Sequence, residues 1–360
     1  MSAPVDEAFL ADVFRRAKAS TAIHGAVFRV ENEDGSIAWT GEAGGMHAED
    51  RYFLTSVSKL FVTTVIMQLR AEGRIRLEDR ACDYIPRHLL SGLHVIDRQD
   101  YSSEITVAHL LAHTSGIPDY LSFKHDSGKT TDELLNEGAD EPLPLDTVLD
   151  RVRAASPRFR PGRKASYSNT NYRLLGVIIE AITGAAIGLT LRERVMNPLH
   201  LRDTYPFQDI RDDTPAPMYF KTRRIHIPRC MASVTAEGGI VSTARETAVL
   251  LRAFFGGSLF PKADLDRLTD WRFLFLPFQC YVGVGLEKLW FPRITSPFTR
   301  IPEVLGFWGS SGAFAFYCAG PGLYFTGTAN QSSGAGHAAV FKAIVRILKS
   351  ASRRADRSPR

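Results

Sequence analysis

Apolar residues alternate with a period of two near both ends of this 360-residue chain, whereas the long middle runs at helical spacing. At the front, Ile23 to Val30 reads as a strand, residues 31–35 as a turn, and Ser36 to Thr40 as the strand's partner. At the back, Cys280 to Leu289, Phe314 to Tyr317 and Leu323 to Thr328 read as strands between Gly/Pro turns. Between these ends lie helical patterns at residues 56–72, 105–113, 145–155, 174–182 and 244–255. Two more flank the strands, at 7–19 (Phe9, Leu10, Val13 and Phe14 on one face) and 338–348. Such an order predicts an α+β fold. Its antiparallel sheet is built from both chain ends and flanked by helices, with an all-helical lobe inserted. The expected division is residues 1–74 and 232–350 for the sheet-bearing domain, 75–231 for the lobe, and 351–360 for a disordered basic tail. No fixed-period repeat is present, which argues against solenoids and propellers.

Composition narrows the class. A hydrophobic share of 44% and a charged share of 23% describe an ordinary globular chain. The net charge of +5 gathers partly in the last nine residues, and elsewhere acids and bases are interspersed, so no nucleic-acid partner is expected. Cys82, Cys230, Cys280 and Cys318 are spaced too widely for a metal motif. The start carries acids and no apolar core of a signal, and no run reaches the ~18 apolar residues of a membrane span. The expectation is a cytoplasmic protein with reduced thiols and no membrane partner.

Three stretches carry chemistry. In the first, Ser56 stands three residues before Lys59 at the start of an apolar helical run ending at Gly73. On a helix the two share a face one turn apart. A lysine whose pKa is lowered by burial can take the serine proton, and the helix start offers N–H groups to an oxyanion. The bland alternative is an N-cap serine with a solvated lysine. In the second, Tyr167-Ser168-Asn169 forms a turn before a helix. A lysine ammonium beside Tyr167 would push its phenol toward phenolate, and Asn169 would hold a substrate carbonyl or the lysine. From the residues alone the plainer reading is a capping turn with a packed tyrosine. The third, Gly306-Phe307-Trp308-Gly309-Ser310-Ser311-Gly312, has the glycine density of an edge strand approached by another backbone or a ligand, or of a bulge. An edge strand there would offer a second oxyanion donor.

Together, and in this order, these motifs resemble the serine β-lactamase and penicillin-binding-protein superfamily, in its class C β-lactamase and D-alanyl-D-alanine carboxypeptidase-like branch. Further blocks carry the resemblance: Leu110-Leu111-Ala112-His113-Thr114-Ser115-Gly116-Ile117, Pro161-Gly162, Leu174-Leu175-Gly176 and Ala236-Glu237-Gly238-Gly239. The resemblance implies Ser56 as acyl-forming nucleophile, Lys59 as base or relay, and Tyr167 as the group that takes the serine proton and passes it to the leaving group. Asn169 would touch substrate, and the N–H groups of Ser56 and Ser310 would form the oxyanion hole. No metal or organic cofactor is implied.

One departure bears on substrate. The third motif of the superfamily begins with Lys or His, and here the triplet is Phe307-Trp308-Gly309. It resembles the aromatic triplet of the carboxylesterases of this fold, and that resemblance implies that Phe307, Trp308, Gly309 and Ser310 contact substrate. The leading expectation is therefore a carboxylesterase or acyltransferase on a small-molecule ester or thioester. A D-amino-acid peptidase, amidase or β-lactamase-like enzyme would need Arg293 or Arg300 in place of the missing cation. A catalytically silent binding protein is the third reading. His113 is expected to be structural and Glu237 to bond locally. Trp271, Phe273, Phe275, Phe278 and Trp290 are expected to pack the lobe. The polar stretch 119–144 is expected to edge the site as a lid.

Overall fold

The computed structural model describes residues 5–19, 23–275, 279–296 and 299–355. In chain order its principal elements begin with α1 (Glu7–Lys18), β1 (Ala26–Asn32), β2 (Ala38–Ala43) and α2 (Lys59–Ala71). The helical stretch supplies α3 (Val107–Leu111), α4 (Leu145–Arg153), α5 (Asn169–Thr183) and α6 (Ala244–Gly256). The chain closes with β3 (Arg272–Phe275), β4 (Cys280–Val282), β5 (Glu287–Leu289), β6 (Val304–Trp308), β7 (Ala313–Cys318), β8 (Leu323–Thr328) and α7 (Gly334–Ala355).

The eight strands form one antiparallel sheet in the order β3-β4-β5-β6-β7-β8-β1-β2. Its seam is β1 against β8, with Val27 opposite Thr328 and Asn32 opposite Leu323, so the two chain ends zip together as expected. Alternation along the strands then separates two cores. Phe28, Phe314 and Phe316 point to the face covered by α1 and α7, where they meet Leu10, Val13 and Ile344. Val27, Ala313 and Ala315 point to the opposite face, into the core that holds Leu60, Phe61, Leu251 and Phe254. The small alanines let helices lie close on that side, and α2 is the helix that begins at Lys59, directly after the Ser56 turn.

α2 is buried nearly all round: of its thirteen residues, only Gln68, Arg70 and Ala71 are not fully enclosed. A helix apolar on every side belongs in a core, which explains why a lysine at its first position is desolvated. Between α2 and α6 the helical stretch packs α5 against α2, α3 and α4. Gly184 ends α5 at φ +72°, a left-handed C-cap that a side chain would strain.

Several boundaries differ from the sequence reading. The stretch 280–289 is two strands, not one, because Gly283 N–H bonds Leu286 O and reverses the chain. That extra hairpin, with β3 beyond it, covers β6. The strand of the third motif is therefore interior, not an edge. α5 begins at Asn169, five residues earlier than its apolar pattern suggests. α7 runs through Ala355, so the first part of the expected tail is helical; residues 356–360 lie outside the described residues. Of the expected packing aromatics, Trp271 is partly buried against the core, but Phe273 (50% exposed) and Trp290 (41% exposed) face outward. Phe278 lies outside the described residues. Among the described residues no single helix is long and apolar enough to cross a membrane.

Candidate active site

Ser56 sits in a tight turn, Thr55–Ser58, that precedes α2. Its N–H comes before the first bond of that turn, from Val57 N–H to Leu54 O. Thr55 holds φ at +45°, a left-handed conformation that disfavours a β-branched residue. Strain of this kind costs on the order of 1–3 kcal/mol and persists only where neighbours impose it. Here the neighbour is Ser311, just past β6. Its N–H donates to Thr55 Oγ1 at 3.2 Å and its hydroxyl donates to Phe53 O at 2.7 Å. The Ser56 turn and the third motif are thereby stitched together.

Gly309 makes that approach feasible. A Cβ there would lie 2.3 Å from Leu54 O and 2.4 Å from Thr55 Oγ1, so no side chain fits. Ser310 follows at the lip of the cleft, and its N–H has no backbone partner among the described residues. Ser56 and Ser310, whose amides are the pair expected to form an oxyanion hole, both line this cleft. His337, on α7, bonds Gly309 O through Nε2 at 2.9 Å and packs edge-on against Trp308. This anchor from the far end of the chain had no signal in the sequence.

Lys59 Nζ donates three hydrogen bonds: to Ser56 Oγ (3.1 Å), Asn169 Oδ1 (2.8 Å) and Glu237 O (2.9 Å). Its complete burial pushes the ammonium down to about 8, against the opposing pull of Glu237, Asp119 and Glu287. Neutral lysine has two hydrogens. Those two satisfy Asn169 and Glu237, leaving the lone pair to face Ser56 Oγ. In that state the Lys59 lone pair can accept a proton from Ser56 Oγ.

Tyr167 donates to Ser56 Oγ from the other side at 2.8 Å. Its ring stacks on His113 at 4.3 Å, and Lys59 Nζ lies 5.1 Å from the ring centroid. No hydrogen bond joins Lys59 to the Tyr167 hydroxyl among the described residues. Burial raises the phenol well above 10, with Glu287 adding to the rise. The expected push toward phenolate is reversed: desolvation outweighs the nearby ammonium, and Tyr167 rests as a neutral donor.

His113 is fully buried, and its Nδ1 accepts from Ser168 N–H (3.2 Å) and Asn171 Nδ2 (3.3 Å). Burial holds the imidazole neutral and keeps it as a plate for Tyr167. Glu237 accepts from Tyr120 at 3.0 Å and pairs with Arg173 at 2.9 Å, so its side chain is structural while its carbonyl holds Lys59. Asn169 faces Lys59 with its oxygen and Asp119 with its nitrogen (3.1 Å to Oδ2). It is therefore a bridge to a carboxyl that sequence reasoning missed. Desolvation lifts Asp119 to about 6.

These groups meet at one end of a cleft of about 590 Å³. Its lining includes the apolar side chains Leu121, Leu135, Leu143, Met218, Ile227 and Met231. The stretch 119–144 forms one of its walls. Trp308, Gly309 and Ser310 line the cleft, but Phe307 does not. It is wholly buried in the core with Leu60 and Phe61, so the expected contact with substrate fails because strand alternation turns its ring inward. Arg293 and Arg300 are exposed and away from the cleft, and among the described residues no lysine or arginine lines it. Neither replaces the missing cation.

A family model described as Beta-lactamase matches residues 10–347. Penicillin-binding protein 4 of Amycolatopsis lactamdurans is 32% identical over 158 residues, 43% of this chain and 36% of that protein. The aligned part spans only about a third of the length of the curated relatives it matches. Among solved structures, a D-stereospecific amidohydrolase from Streptomyces sp. superposes with a TM-score of 0.74 at 29% identity, covering 91% of this chain and 95% of that one. EstCE1, described as a hydrolase with promiscuous acyltransferase activity, superposes with a TM-score of 0.74 at 20% identity, covering 93% and 97%.

Proposed function

The chain belongs to the beta-lactamase family, and on that premise we propose that it is a serine hydrolase that cleaves a small-molecule ester or thioester through an acyl-Ser56 intermediate, releasing the acyl group to water or to another acceptor. One observation carries this reading. Ser56 Oγ is held between Lys59 Nζ and the Tyr167 hydroxyl in a cleft that no lysine or arginine lines among the described residues and whose lining includes a large apolar share. Substrates recognised through a carboxylate find no partner there, whereas a neutral acyl chain finds an apolar wall.

Neutral Lys59 accepts the Ser56 proton as Oγ attacks the carbonyl carbon. Negative charge developing on the carbonyl oxygen is met by the N–H groups of Ser56 and Ser310. As the tetrahedral species collapses, the carbon–leaving-group bond breaks and Tyr167 protonates the departing oxygen or sulfur. The proton held on Lys59 restores the phenol, so the serine proton leaves with the product. Water or an acceptor alcohol then attacks the acyl carbon, gives up its proton to the same groups, and Ser56 is released.

Amide hydrolysis is a second reading, supported by the 29% identity to the Streptomyces amidohydrolase over nine-tenths of the chain. The test is intact-protein mass spectrometry after incubation with a fluorophosphonate, alongside turnover of short p-nitrophenyl esters. One adduct on the wild type, none on Ser56→Ala, and ester turnover are expected. A folded protein with neither adduct nor turnover would overturn the reading and favour a silent binding protein.

A further inference from the structure

Glu287 is a buried carboxyl facing the cleft, and the catalytic steps above do not use it. It sits on β5, next to the third-motif strand, and is 4% exposed. Its only hydrogen bond among the described residues is a long one, 3.4 Å from Trp308 N–H to Oε2. A buried carboxyl ordinarily has a cation or several donors.

Each neighbour that could supply a countercharge is otherwise engaged. Its cross-strand partners are Val282 and Gly306, which carry none. Lys288 points to the other side of the strand, over the Trp271 ring and toward Glu303. Lys59 is committed to Ser56, Asn169 and Glu237. His337 is bonded to Gly309 O, and burial lowers its pKa. The first residue of the third motif, Phe307, is apolar and inaccessible. The other charged side chains lining the cleft, Asp119, Asp132 and Glu237, are acids as well.

Resting on the acyl-Ser56 reading, we propose that Glu287 is a specificity residue that receives a cationic group of the substrate, an ammonium close to the scissile acyl carbon. The substrate's ammonium would complete the ion pair that the protein leaves open. A carboxylate in the same place would face an acid across an enclosed space. The polarity of recognition at this strand is therefore inverted relative to a site that begins its third motif with lysine. Burial holds Glu287 near neutrality, at about 7, against the smaller opposing pull of the Trp308 N–H and the Lys59 ammonium, and a bound ammonium would draw it into its ionised form.

The test compares kcat/KM for three benzyl esters of matched shape: alanine (ammonium, both enantiomers), isobutyrate (neutral) and methylmalonate half-ester (carboxylate). In the wild type the better alanine enantiomer should exceed isobutyrate by about 10–100-fold, the range of a charge-assisted hydrogen bond. The half-ester should be the poorest. In Glu287→Gln the alanine-to-isobutyrate ratio should fall at least tenfold, and Glu287→Asp should recover part of it. A ratio equal in wild type and Glu287→Gln, or a preference for the half-ester, overturns the proposal while the acyl-enzyme reading stands. If no ester acylates Ser56, that reading falls instead. Calorimetric titration of Ser56→Ala with alaninamide and isobutyramide then decides Glu287: tighter alaninamide binding that Glu287→Gln abolishes supports it, and equal binding refutes it.

Discussion

The lowered pKa of Lys59 can be tested as a pH–rate profile. At an ordinary 10.5, about 0.03% of molecules would hold neutral lysine at pH 7; at about 8, about 10% do. Burial thus raises the competent fraction roughly 300-fold, equivalent to about 3 kcal/mol in favour of the neutral amine. The assay is kcat/KM for p-nitrophenyl butyrate from pH 6 to 11, corrected for spontaneous hydrolysis, because kcat/KM reports ionisations of the free enzyme. The rate should rise about tenfold between pH 7 and pH 9 and level off above. Glu287→Gln removes an anion that raises Lys59, so its profile should move to lower pH. An inflection above 10 would identify Tyr167 as the base, since burial lifts its phenol well beyond that value. A flat profile, or a shift to higher pH in Glu287→Gln, would refute the reasoning.

Three further outcomes follow from the geometry. Gly309→Ala places a methyl 2.3 Å from Leu54 O, and both groups are anchored to backbone; a loss of kcat/KM of about 100-fold and about 1–3 kcal/mol of stability are expected, and unchanged kinetics with an unchanged melt would contradict this. Asp119→Ala leaves the Asn169 amide without its carboxyl partner, so kcat should fall about tenfold or more with a smaller change in KM; parallel changes in both would speak against positioning. Glu287 has a folded value, about 7, above its ordinary 4.5. Its stabilising contribution is therefore complete below about 4.5 and lost as pH rises through 7, leaving a cost of about 3 kcal/mol in alkali. Glu287→Gln should accordingly melt several degrees above wild type at pH 8.5 and close to it at pH 4.5, and an equal difference at both would refute the assignment.

The sheet was legible because its strands alternate and its partners lie at opposite ends of the chain. A sheet with one strand pair at the front and several strands at the back has to close through β1 and β8. The boundaries that were misread depend on contacts outside their own segment. α5 starts at Asn169 because its polar first turn is buried against Asp119, Pro118 and Lys59, which no apolar period can announce. β3 and the hairpin between β4 and β5 are short, and their glycines and aromatics read as packing until strands are available to pair with them.

By itself the sequence determined the order of chemistry: a serine and a lysine one turn apart, a tyrosine before a helix, and a glycine-dense third stretch. Those are local constraints, written in spacing. What only the tertiary structure decided was the electrostatic environment. Burial lowers the Lys59 ammonium and keeps Tyr167 protonated, because desolvation depends on everything that surrounds a group rather than on its neighbours in the chain. The same is true of Asp119, Glu287 and His337, which come from three separate elements and meet only when the sheet closes.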